Sequence, residues 1–255
     1  MVKKSKSSFI KVSQAQTKSA FGALKQLLES QRNPKDLLFN ENEFLTIQVE
    51  VNKIPELGTL RCVGIPLPHS LYSRKYNSQV FLIVKDPQRE WKEKLDTLDL
   101  KDTPLAKVMG ISKFGKNFTQ FKDRRSLVSE YDLFLSDIKV FNMLPDRLGK
   151  YFYLRKKIPA LINLEEDPEA SIKQAINSTY LVASKGPIFN IKVARATMKP
   201  KEVVENVQAV LEALPTVLPG LEPQHIRRVD LKFPDTLSLP VYNYLTTAEV
   251  SAYKN

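Results

Sequence analysis

The residues Gly110-Ile-Ser-Lys113-Phe-Gly115-Lys116 have the G-x-x-x-x-G-K spacing of a loop whose backbone N–H groups and lysine cradle a phosphate. They lie between a run that predicts a strand and a run that predicts a helix, as such a loop requires. The next residue is Asn117. A phosphate loop needs a Ser or Thr hydroxyl there to ligate magnesium, and a carboxamide substitutes poorly. Asp137, closing another predicted strand, could serve as the second magnesium holder, so a phosphate-loop NTPase using Gly110 to Lys116 stands as the rival reading from a different class. The plainer reading is a basic loop whose lysines meet solvent or RNA, in a chain with only eight glycines. Other catalytic chemistry finds no footing. There is no G-x-S-x-G elbow, and His69 sits in a proline-rich segment without a nucleophile beside it, which suits a structural hydrogen-bonding role. Glu165, Glu166, Asp167 and Glu169 open a predicted helix, where carboxylates favour the positive end of the dipole, so they read as a cap. Trp91, in a charged helix, is expected to pack. Cys62, His69 and His225 do not make a zinc set, and no metal, cofactor or small-molecule substrate is expected.

Charge is the stronger signal. The 255 residues carry 39 Lys and Arg against 28 Asp and Glu, a net charge of +11. That balance favours a polyanionic partner, nucleic acid before membrane. The cations fall into three groups. Lys113, Lys116, Lys122, Arg124 and Arg125 form the first. The second runs from Arg147 to Lys157 with Lys150, Arg155 and Lys156, and the third lies on strand faces as Lys192, Arg195, Arg228 and Lys232. Cations of this kind position phosphate without reading sequence. No apolar run approaches the roughly 18 residues of a membrane-spanning helix, so no membrane is expected. The lone cysteine excludes an internal disulfide framework and suits a reducing compartment. The opening MVKKSKSS has lysines without an apolar core, which reads as a solvated tail, with a nuclear address as the alternative, and not as a secretory signal.

The elements that must carry these groups follow from periodicity. Ser13 to Ser30 has helical spacing through Ala20, Leu24, Leu27 and Leu28, with Asn33 and Pro34 as its stop. Leu45, Ile47, Val49 and Val51 alternate with polar residues, the pattern of a half-buried strand; Thr59 to Ile65 is a weaker strand, and Gly58 between them suits a turn. From Gln79 the pattern changes. Val80 to Val84 is continuously apolar, Gln88 to Leu100 predicts a charged helix, Lys107 to Ile111 a short strand, Asn117 to Ser129 a helix, and Leu133 to Leu135 a third strand. This alternation predicts a small parallel sheet flanked by helices. Ile138 to Met143 resumes helical spacing, Leu144 and Pro145 interrupt it, and the cations from Arg147 onward are expected on a surface loop. After Pro159 the period of two returns at Phe189, Ile191, Val193 and at Val229, Leu231, Phe233, with a helix from Pro200 through Leu214 between them. Neither end has enough strands for a core. The two ends therefore predict one discontinuous antiparallel α+β domain, residues 1–75 and 160–255, interrupted by an α/β domain at 76–159.

The order of motifs resembles the ribosomal protein L-one family, most closely its nucleolar ribosome-assembly factors. The residues that carry the likeness are the strand with Phe44, Leu67-Pro68-His69, Leu82-Ile-Val-Lys85-Asp86, Tyr131-Asp132-Leu-Phe-Leu135-Ser-Asp137, and Leu144-Pro145 with Leu148-Gly149-Lys150. They continue through Pro159, Val193-Ala-Arg195, Met198, Glu205-Asn206 and Leu231-Lys232 to Leu239-Pro240-Val241-Tyr242. The resemblance implies a discontinuous RNA-binding α+β domain with an inserted Rossmann-like three-layer α/β domain, and a protein without catalytic activity. It implies rRNA contacts at Phe44 and Thr46, at Val193 to Lys199 including Arg195, Met198 and Lys199, and in the loop after Lys232 at Thr236 and Ser238. With Lys192, Arg228 and Lys232 these form the expected RNA surface. Lys113, Lys116, Arg124, Arg125, Lys150, Arg155, Lys156 and Lys157 form a secondary basic surface. Ribosomal members of the family have Ser/Thr-Met-Gly where this chain has Asp235-Thr236-Leu237-Ser238, and a glycine where it has Ala194. Those departures favour an assembly factor over a stalk protein of the large subunit. The expected partners are pre-rRNA, other assembly factors and ribosomal proteins, in the nucleolus, with the inserted domain presenting surface to other factors.

Overall fold

A computed structural model describes residues 12–30, 43–54, 62–98, 100, 102–182, 186–234 and 236–244. They form two compact units, one built from both ends of the chain, up to His69 and from Leu181 onward, and one from Ser70 to Tyr180. The expected stop at Asn33 and Pro34, the turn at Gly58 and the amino-terminal lysines lie outside the described residues.

The end unit begins with α1 (Gln14–Ser30), which buries Ala20, Phe21, Leu24 and Leu28 on one face, and β1 (Phe44–Val51), whose residues alternate between half-buried and buried. β2 (Cys62–Pro66) is a short strand that buries Ile65. The chain then enters the middle unit.

There, β3 (Val80–Val84) is buried at all five positions, because α/β packing covers a central parallel strand on both faces. It is followed by α2 (Gln88–Thr97), β4 (Leu105–Gly110), α3 (Ile111–Asn117), α4 (Phe121–Glu130) and β5 (Leu133–Asp137). A 3-10 turn over Ile138–Met143 leads into α5 (Leu144–Leu148) and α6 (Lys150–Leu154). The expected interruption at Leu144 and Pro145 is instead a helix start, since proline is tolerated in a first turn whose N–H groups lack partners anyway. The expected cationic loop is therefore two short helices joined at Gly149, which has φ 77°. After them come β6 (Ala160–Ile162), α7 (Pro168–Ile176) and β7 (Ser178–Val182), which leads out of the unit. β6 pairs in parallel with β5, so the sheet has the order β4-β3-β5-β6 and the unit extends past residue 159. Three residues are too few to show a period. One face carries a ring cluster in which Phe81, Phe114, Tyr131, Phe134 and Phe152 meet with centroids 5.0 to 6.1 Å apart. α7 is capped by Asp167, whose carboxylate accepts from the Ala170 N–H at 3.1 Å, as the acidic cluster suggested.

The end unit resumes with β8 (Ile188–Arg195), α8 (Pro200–Val217), β9 (Ile226–Lys232) and β10 (Leu239–Asn243). They complete an antiparallel sheet of order β10-β9-β1-β8. α1 and α8 pack together on one face of it, burying Leu24, Val203, Val207, Val210, Leu211 and Leu214 against Leu45, Ile47, Val49, Ile191 and Leu231. The other face of the sheet stays polar and is the one that can meet a partner.

Candidate nucleic-acid interface

β1 runs down the middle of the polar face and sets out its groups in order. Across the ladders, Phe44 is opposite Arg195, Thr46 lies between Lys192 and Lys232, Gln48 between Asn190 and Asp230, and Glu50 between Ile188 and Arg228. Strict alternation along β8 would turn Arg195 to the core, because it is three residues from Lys192. The β1–β8 register shifts between Leu45 and Thr46, so Val193 is an extra residue and Arg195 returns to the side of Lys192. The Lys192 Nζ and the Arg195 Cζ each lie 4.2 Å from the centroid of the Phe44 ring. At that distance the negative face of the ring attracts both cations and holds them together.

A bulge leaves backbone groups without their ladder partners, and here one side chain satisfies them. Asn206, fully buried on α8, donates from Nδ2 to the Val193 carbonyl at 2.8 Å and to the His69 carbonyl at 3.0 Å, while its Oδ1 accepts from the His69 N–H at 3.0 Å. The His69 ring adds a contact of 2.6 Å between Nε2 and Glu205 Oε2. The structural role read for His69 is the one it plays. Three of the motif pieces, Leu67-Pro68-His69, Val193-Ala-Arg195 and Glu205-Asn206, meet at this carboxamide.

Charge is graded along the same face. At its Glu50 end, Arg227 reaches the Glu50 carboxylate at 3.4 Å and Arg228 donates to its strand neighbour Asp230 at 2.6 Å, so the cations there are matched. At the Phe44 end, among the described residues, no carboxylate lies within ion-pair distance of Lys232 or Lys199. Arg228 thus belongs to the balanced end, and Lys232 to the cationic one. Lys199 is exposed before α8, whose first turn is closed by Glu202 accepting from the Lys199 N–H at 3.1 Å. Three of the expected contacts are buried, and the first is Arg195, expected on a wet strand face but only 2% exposed because it is packed against the Phe44 ring. Met198 is 5% exposed and its Sδ takes the Arg195 N–H at 3.3 Å. Thr236 is 7% exposed and its hydroxyl closes the turn on Phe233, accepting from the N–H and donating to the carbonyl at 3.1 Å each. Both shape the rim of the surface. Ser238 is half-buried beside that turn.

The secondary basic residues belong to the middle unit. Lys113 and Lys116 are exposed on α3, Lys150 is exposed at the start of α6, and Lys156 is exposed with φ 53°. Arg124, Arg125 and Arg155 are held against the fold by specific contacts. Lys157 differs from all of these: its Nζ donates to the Val128 and Tyr131 carbonyls at 2.7 Å each, and burial lowers its pKa. It is a structural cation.

The phosphate-loop reading fails on geometry. Gly110 to Lys116 form no loop, because Gly110 directly precedes α3 and Lys116 lies in its last turn. The place a phosphate would take is filled by Asp86. Its carboxylate packs against Gly110 and accepts from the Ser112 N–H at 3.2 Å and the Ser112 hydroxyl at 2.5 Å. Asp137 is fully buried and caps the following turn by accepting from the Lys139 N–H at 3.1 Å.

The molecule is thus a split α+β fold with a parallel α/β insertion, and the open face of its antiparallel sheet is cationic at one end. The sequence profile of the Ribosomal protein L1p/L10e family matches residues 27–237, and the chain belongs to that family. It is 29% identical over 247 residues to mouse Ribosomal L1 domain-containing protein 1, covering 94% of this chain and 54% of that protein. A Schizosaccharomyces pombe protein whose name gives ribosome biogenesis is 28% identical over 208 residues, 77% of this chain and 56% of its own length. Saccharomyces cerevisiae ribosome biogenesis protein UTP30 is 21% identical over 242 residues, 86% of this chain and 85% of its own. The chain therefore spans about half the length of the mouse and fission-yeast relatives.

Proposed function

We propose that this chain is a non-catalytic ribosome biogenesis factor that binds pre-rRNA within nucleolar pre-ribosomal particles. The observation that carries the reading is the Phe44 ring with Lys192 against it and the buried Arg195 supporting it, beside Thr46 flanked by Lys192 and Lys232. An aromatic ring, a hydroxyl and the two lysines that flank it on a rigid sheet can hold phosphate and sugar while the strands fix their spacing. The names of the relatives point the same way, since two of them denote ribosome biogenesis. Assembly factors and ribosomal proteins of the same particle are its other partners, and the nucleolus is where such particles form.

Sedimentation of the tagged protein from a cell lysate tests this. A biogenesis factor travels with pre-ribosomal particles and is absent from polysomes. Recovery on translating polysomes would instead make it a stalk protein of the large subunit, and recovery in the free fractions alone would remove the ribosome from the account.

A further inference from the structure

The middle unit gathers cations in a way that the sheet face does not explain. Tyr151 on α6 carries two guanidinium groups, that of Arg125 from α4 and that of Arg155 from the end of α6, each 5.6 Å from the ring centroid. Arg155 also donates from Nε to the Tyr151 hydroxyl at 3.1 Å. Arg124 donates from Nε to the Phe118 carbonyl at 2.8 Å and lies against Gly149, where a Cβ would meet the guanidinium. Among the described residues no carboxylate is within ion-pair distance of any of the three. Like charges on long side chains drift apart in water, and here a ring, a hydroxyl, a carbonyl and a glycine keep them together. The fold uses Nε of Arg124 and Arg155 and, among the described residues, forms no hydrogen bond with their Nη groups, the donors that grip a phosphate.

Charge alone would suit any polyanion, but this face also presents an aromatic ring. Phe121 lies four residues before Arg125, hence on the same side of α4, and is 77% exposed, more than any other large apolar side chain among the described residues. A bare ring amid arginines is the pattern of a single-stranded nucleic-acid site, where bases stack on rings and cations track the backbone. An acidic peptide would use the charges and leave Phe121 without a role.

We propose that this helical face is a second RNA site, taking an unpaired stretch of RNA with phosphates on Arg124, Arg125 and Arg155 and a base stacked on Phe121. The inference rests on the reading of RNA as the ligand and adds a site to it, in a unit expected from sequence to face other factors.

The test is fluorescence anisotropy of the full chain with labelled oligouridylate, which has no secondary structure of its own. Arg125→Gln with Arg155→Gln is expected to weaken binding by about tenfold and to shrink the slope of log K against log salt by about 1.4, two phosphates at ~0.7 each for a single strand. Phe121→Ala, at an exposed position that leaves the fold intact, should weaken binding severalfold with the salt slope unchanged. Wild-type affinity in both variants overturns the inference. So does displacement of oligouridylate by polyglutamate at equal charge with Phe121→Ala inert, which would mark a dock for an acidic protein. Lys192→Glu with Lys232→Glu, measured on a pre-rRNA fragment, reads the sheet face separately. Loss there with intact oligouridylate binding in the arginine variants leaves the proposed function standing and removes only the second site.

Discussion

Asn206 has the strongest claim to being irreplaceable in the end unit, because it satisfies a bulge carbonyl and both backbone groups of His69 from a fully buried position. Asn206→Ala should lower stability by about 3 kcal/mol, as buried polar groups lose their partners, and urea unfolding measures it. Asn206→Asp should be no better, since a carboxylate can accept from His69 but cannot donate to two carbonyls; a near-native midpoint for either variant would contradict the assignment. Cys62 offers a pH test. Burial pushes its thiol up to about 12, so the native thiolate is scarce at pH 8.5, where an ordinary cysteine is about half ionised. Alkylation at that pH should run roughly a thousandfold slower in native protein than in urea. The native rate should then climb tenfold per pH unit toward 12 while the unfolded rate levels off. Equal rates would mean that the thiol is not buried. At this scale sequence reads residue types well and their direction poorly. Met198, Thr236 and Lys157 have the chemistry of contacts, yet each is turned inward by a sulfur, hydroxyl or ammonium hydrogen bond to backbone that no spacing announces.

Among the elements, the bulge in β8 decides the site. The alternation that reveals β1, β8 and β9 also assigns their faces, but it would send Arg195 to the core, and only the extra residue at Val193 brings it beside Phe44. The motif Val193-Ala-Arg195 carried that information through the resemblance. Periodicity could not. The segment from Leu144 to Lys157 reads as a broken loop because Pro145 and Gly149 are both breakers, whereas one starts a helix and the other joins two. Gly149 combines φ 77° with Arg124 packed against it, so Gly149→Ala should cost about 1 to 2 kcal/mol, measured by thermal melting, through backbone strain and a displaced guanidinium. At α3 the expectation is a null result. Since Asp86 fills the place of a phosphate, the purified protein should bind neither ATP nor GTP, and Lys116→Ala should leave its particle association unchanged. Micromolar, magnesium-dependent nucleotide binding, read by calorimetry, would reverse that conclusion.

For the whole molecule, both kinds of unit were legible in the change of period from two, to continuous apolar runs, and back to two. β6 escaped because three residues define no period, and it belongs with the parallel sheet. Net charge announced a polyanion but not its place. That depends on pairing, because Arg227 and Arg228 are matched by Glu50 and Asp230 while Lys232, at the other end of the same strand, is not. Filter binding of a pre-rRNA fragment across a salt series tests the central claim, that the Phe44 end of the sheet holds RNA. Lys192→Glu with Lys232→Glu replaces attraction by repulsion at two surface positions without touching the core. It should remove most of the affinity and flatten the salt dependence by about two phosphate contacts, whereas Arg227→Glu at the balanced end should do little. Wild-type affinity and slope in the Lys192 and Lys232 variant, with RNA still bound, would contradict the account.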